Sequence, residues 1–157
     1  MRTPPLTVFH FNRNRASALS NTTGPVLLMM IGQKGNIMEI LKTNIDPANK
    51  VLVYKLTKSS GTMVQEAPAG LSVPVADWML YNDPKEGKDG VMKDNKVLSF
   101  TDTSGVKYST VSATFQREFL DIVEIMGADA FAILIVHGKT KANKDFVSCE
   151  LDCDFFN

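Results

Sequence analysis

The stretch from Ser112 to Gly138 constrains the fold of this chain more than any other. Phe115, Phe119, Ile122, Val123 and Met126 recur at i, i+4, i+7, i+8 and i+11, one apolar stripe along an α-helix. Gln116, Arg117, Glu118, Asp121 and Glu124 fill the opposite face and keep it wet. Ser112 or Thr114 is placed to cap the first turn, and Gly127 to end the last in a left-handed conformation. Ala130 to Val136 is then apolar without a break, the pattern of a strand buried on both faces. The spacing predicts a helix over 114–126 laid on a central strand.

Before this unit the chain reads as strands and turns. Leu6 to Phe11 alternates and forms a strand, and the polar segment 12–24 is a long loop. Val26 to Ile31 is an unbroken apolar run between Gly24-Pro25 and Gly32, too short for a helix, hence a buried strand. Asn36 to Ile45 lies between two turn signals and is read as a strand. Asp46-Pro47-Ala48-Asn49 has turn chemistry, since proline presets φ for the second position. Val51, Val53 and Lys55 alternate against Leu52, Tyr54 and Leu56, which predicts a further strand, with Thr62 to Ala67 returning antiparallel to it.

Pro68 and Pro74 make the next stretch poor ladder material, and Trp78 to Tyr81 reads as a short strand or single turn at a core edge. Residues 82–95 are polar and glycine-containing, an exposed loop. Lys96 to Phe100 and Val106 to Val111 flank Asp102-Thr103-Ser104-Gly105 as a hairpin. After a lysine-rich loop, Phe146 to Phe156 forms the last strand. The expected class is α+β, mainly antiparallel β in a sandwich or barrel-like sheet, with one amphipathic helix packed on it. At 157 residues the chain is expected to form a single globular domain over 1–157.

Charge narrows the partners. Lys+Arg and Asp+Glu both number 17, so no global field draws in nucleic acid or an anionic membrane, and nucleic acid is disfavoured. No apolar run approaches the ~20 residues of a membrane span. The opening MRTPPLTVFHF lacks the apolar core of a signal peptide, so the default location is cytoplasmic, secretion behind a removed signal peptide being the alternative. Asn21-Thr22-Thr23 fits a glycosylation acceptor, which carries weight only in a secreted chain.

No motif assembles a reaction. On one strand, Cys149 and Cys153 would lie about 13 Å apart, beyond disulfide reach. With only His10 and His137 besides, they give no zinc spacing, so neither disulfide, metal nor cofactor is expected. Each histidine sits in or at the end of an apolar strand, where a hydrogen-bonded structural role is the ordinary one. His137 is the better general-base candidate because it ends a central strand. Asp83, Glu86, Asp89 and Asp94 lack the EF-hand order, and Lys85, Lys88 and Lys93 interleave among them. Gly32-Gln33-Lys34-Gly35 lacks Walker spacing and serves a turn. Phe9, Phe11, Arg13 and Arg15 would share one face of a continued strand, able to stack a base and hold a phosphate. Arg13 and Arg15 fit a small anionic ligand slightly better.

These readings lead to a non-catalytic binding or protein-interaction module that presents loops 12–24 and 82–95 to a protein partner or small ligand. The balance weighs against an enzyme, whose form here would be a diffuse acid/base site around His137. A third reading is a structural or homo-oligomeric assembly subunit that buries Met29-Met30 and Phe155-Phe156.

Overall fold

The computed structural model describes residues 38–157 in full, and the backbone alone of Leu27–Met30 and Ile37. The strand expected over Leu6–Phe11 and the loop over 12–24 lie outside these residues. The run expected as a strand from Val26 is β1 (Leu27–Met30), paired antiparallel with β2 (Ile37–Thr43).

The sheet is organised around β4 (Ser72–Asn82), its longest strand. Alternation sends Val73, Trp78 and Leu80 to one core and Met79 and Tyr81 to the other. Its C-terminal half pairs antiparallel with β7 (Lys96–Asp102) on one edge and with β2 on the other. Its N-terminal half, Ser72–Pro74, pairs with β9 (Ala132–Lys139). The register shifts between Val75 and Trp78, a bulge at the point where the strand changes partners.

From β7 the chain turns into β8 (Lys107–Thr110), whose far edge takes β3 (Thr62–Met63) in parallel. A helix follows, then β9 and its hairpin partner β10 (Asp145–Leu151). A three-stranded meander, a helix, and a hairpin that returns to the first strand give a curled, mostly antiparallel half-barrel, with the short β3 at its edge beyond β8.

Among the described residues two helices flank the sheet. The second, α2 (Ala113–Met126), matches the expected helix, with Ser112 as its cap: its Oγ accepts from the Phe115 N–H at 3.3 Å and donates to the Val147 carbonyl at 3.2 Å. Gly127 ends it at φ +59°. Phe115 and Phe119 are wholly buried, and Phe119 stacks on Phe100 at 5.4 Å and meets Trp78 edge-on at 5.7 Å. Gln116 departs from the expected wet face. It is buried, and its amide donates to the Lys96 and Thr110 carbonyls at 2.9 and 3.3 Å, joining helix to sheet.

The first helix, α1 (Lys50–Thr57), corrects the strand expected over 51–56. The turn expected over 46–49 is present, closed by the Asn49 N–H donating to the Asp46 carbonyl at 2.9 Å, and it leads into the helix, whose first turn Asn49 caps by accepting from the Leu52 N–H. Val53 and Leu56, three apart, are the buried pair, while Val51 and Tyr54 are exposed. Alternation and helical spacing coincide over so short a segment, and the partner face of Met38, Ile40, Met79 and Tyr81 selects the helix.

Other boundaries move for local reasons. Only Thr62–Met63 of the expected 62–67 strand pairs, in parallel with β8, before a 3-10 turn at Val64–Glu66. Pro74 sits inside β4, where its carbonyl accepts from Thr103 beyond the end of β7, so its missing N–H costs no ladder bond there. The loop expected over 82–95 carries a small hairpin, β5 (Lys85–Glu86) with β6 (Met92–Lys93). The last strand stops at Leu151, and Cys153–Phe156 form a 3-10 turn.

Both cysteines are free thiols in unlike surroundings. Burial, with Glu118 and Glu150 nearby, pushes the Cys149 thiol up to about 12, while Cys153 is exposed. Native alkylation at neutral pH is therefore expected to label Cys153 alone, read by intact mass; a second rapid label would contradict the burial of Cys149.

Candidate nucleic-acid interface

The positions singled out from sequence are scattered. His10, Arg13 and Arg15 lie outside the described residues. His137 is exposed on β9 opposite Val147, and its neighbour along that face is Lys139. The acidic hairpin neutralises itself: Lys93 pairs with Asp89 at 3.2 Å, and Asp94 accepts from the Asn82 amide at 3.0 Å. Among the described residues no group of three or more His, Cys, Asp or Glu could hold a metal ion. No helix among them is long and apolar enough to cross a membrane.

Two other surfaces carry more cations than carboxylates. The first is the β9–β10 turn, with Lys139, Lys141 and Lys144. Thr140 builds it: its N–H donates to the Lys144 carbonyl at 2.8 Å, and its hydroxyl accepts from the Lys144 N–H at 3.1 Å. Asn143 takes the left-handed position at φ 58° that the reversal needs. Past the turn, Val147 and Cys149 point into the core, which sends Phe146 to the outer face. Lys144 precedes Phe146 by two residues, so alternation puts ammonium and ring on the same side.

Gly138 is the cross-strand partner of Phe146. A Cβ there would fall 2.5 Å from the phenyl ring, so the ring lies directly over the glycine. Phe146 is 37% exposed, and its ring makes a flat apolar platform at the edge of a lysine-bearing turn. The Lys139–Asp145 pair, at 3.9 Å and open to solvent, is a weak competitor for an anion.

The second surface is a cleft of about 530 Å3 between the end of α1 and the β7–β8 turn, lined by Lys55, Lys107, Ser59, Ser60, Thr62 and Gly105 among others. Lys107 is buried, and its ammonium donates to the Ser59 carbonyl at 2.7 Å. Burial, reinforced by the charge of Lys58, lowers its pKa below the usual lysine value.

Residues 35–152, well over half of the chain, match the family described as phage single-stranded DNA-binding protein. The chain belongs to this family. No curated protein and no solved structure matches it. Membership overturns the reading of the chain as a protein-interaction module, together with the expectation that nucleic acid is disfavoured.

That expectation failed because it averaged charge over the whole chain. Residues 1–36 of this family member carry Arg2, Arg13, Arg15 and Lys34 and no acidic residue at all. The acidic residues that cancel them all lie after residue 36, and the matched region gathers its own lysines at the β9–β10 turn and beside α1. The signal open to sequence reasoning was local: three lysines within six positions, Lys139, Lys141 and Lys144, followed two residues later by Phe146.

Proposed function

We propose that the protein binds single-stranded DNA without reading its sequence. The family match carries this reading, and the geometry of the β9–β10 surface supports it. Every base has a π-face, so stacking on an aromatic side chain is sequence-tolerant and worth roughly 1–3 kcal/mol per base. Phe146 supplies such a face, and Lys144 beside it can meet the adjoining phosphate. Phosphate contacts release counterions, which makes binding weaken as salt rises. The segment Phe9, Phe11, Arg13 and Arg15 has the same combination of cations and aromatic rings in its sequence. A duplex keeps its bases stacked on one another and offers none of them to Phe146.

Competition against a labelled thymine oligonucleotide tests the function. Unlabelled single strands of mixed composition are expected to compete about equally, and a duplex of the same length to compete poorly. Equal competition by duplex, or no complex at low salt, would refute the reading.

Gly138 provides a finer test. In Gly138→Ala the new Cβ meets the far end of the Phe146 side chain, which can swing aside. Stability should change little, whereas affinity for single strands should fall about 3- to 10-fold as the platform is displaced. Unchanged affinity would mean that the ring's position over the strand is irrelevant to binding.

A further inference from the structure

The α1–β8 cleft is unexplained by the β9–β10 surface, and its lining is chemically one-sided. Lys55 and Lys107 face it with the hydroxyls of Ser59, Ser60 and Thr62, and no carboxylate lines it. Lys107 is 8% exposed, and among the described residues it forms no ion pair. One of its three N–H donors is used, on the Ser59 carbonyl, which leaves two. The Lys55 ammonium reaches the same rim, 3.3 Å from where a Cβ on Gly105 would lie.

A simpler role accounts for part of this. A cation near the C-terminal end of α1 is favoured by the helix dipole, and Lys107 binds the Ser59 carbonyl just beyond that end. That role needs one lysine. It leaves unexplained why Lys55 converges on the same cleft with Lys58 close by, since like charges gathered without a carboxylate repel one another. An oxyanion between the two ammonium groups would relieve that repulsion, with Ser60 and Thr62 on the same wall; the Ser59 hydroxyl already donates to the Lys55 carbonyl.

We propose that this cleft is a phosphate subsite for the bound strand, holding one backbone phosphate between Lys55 and Lys107. The proposal rests on the single-stranded DNA reading and states where a second part of the strand lies. The close approach of Gly61 to Lys107 fixes one wall of the cleft: a Cβ at Gly61 would stand 2.8 Å from the Lys107 carbonyl oxygen.

The test is fluorescence anisotropy of a labelled thymine oligonucleotide over roughly 20 to 200 mM NaCl with wild type, Lys55→Gln and Lys107→Met. Lys107 is buried, so circular dichroism and melting first establish that its variant folds; Lys55→Gln, at a half-buried site, decides the matter if it does not. Each folded variant is expected to bind about 3- to 10-fold more weakly at low salt, with a salt slope shallower by about 0.7, the contribution of one phosphate on a single strand. Wild-type affinity and slope in a folded Lys55→Gln protein would overturn the subsite and leave DNA binding standing. Failure of wild type to bind the oligonucleotide would instead remove the functional reading, and the subsite with it. In that event, inorganic phosphate alone shifting the amides of residues 59–62 would mark the cleft as a site for a free anion.

Discussion

Phe119→Ala is expected to cost about 3–5 kcal/mol in chemical denaturation, among the largest losses available to a single substitution in this chain. Phe119 is fully buried and touches Phe100, Phe115, Phe131 and Trp78 through its ring. These rings belong to β7, α2, the approach to β9, and β4. Removing the phenyl group therefore opens a cavity where the half-barrel's elements converge, and the stiff surrounding rings can collapse into it only partly. Glu118→Ala, one position earlier, removes an exposed ion pair with Arg117 at 2.7 Å and should be nearly neutral. Equal costs for the two variants would contradict the packing of α2.

Phe146→Ala should behave in the opposite way. Its ring lies on the outer face of β10, away from the aromatic cluster, so truncation should change stability far less than at Phe119. Affinity for single strands should nevertheless drop by about 1–3 kcal/mol, roughly 5- to 150-fold, because one stacked base loses its platform. The salt slope should stay nearly constant, since no phosphate contact is lost. A lysine-to-glutamine change at Lys144 should do the reverse, flattening the slope with a smaller loss at high salt. Measured together by anisotropy, the two variants separate stacking from charge. A Phe146→Ala protein that binds like wild type would remove the ring from the interface.

Where one pattern allowed one structure, the sequence was legible. The stripe from Phe115 to Met126 spans three turns, too many for alternation to imitate, and α2 follows it within one residue. Val51–Leu56 is two turns at most, and there the two periods coincide; the partner face under α1, which sequence does not display, decided the outcome. Pro74 discouraged a ladder, yet it falls where β7 has ended and asks for no donor. The α+β class and the barrel-like sheet were readable because strands and turns alternate along the whole chain.

The candidate site was harder to read. The proposed interface is two or three cations beside one ring, and a net charge of zero hides such a patch completely. The lysine-rich turn at 139–144 was visible as a loop, but only the pairing of Gly138 with Phe146 shows that a ring lies over the strand next to it. Lys55 and Lys107 are 52 positions apart and meet only through the packing of α1 against the β7–β8 turn.

The central claim is that single-stranded DNA lies across the β9–β10 turn and over Phe146. It is tested most directly by adding a thymine oligonucleotide to isotopically labelled protein and following the backbone amides and the Phe146 ring by NMR. The expected result is saturable shifts concentrated between Gly138 and Val147, with the Phe146 ring protons moving upfield under the stacked base. An oligonucleotide that binds while leaving residues 138–147 and that ring unshifted would contradict the account.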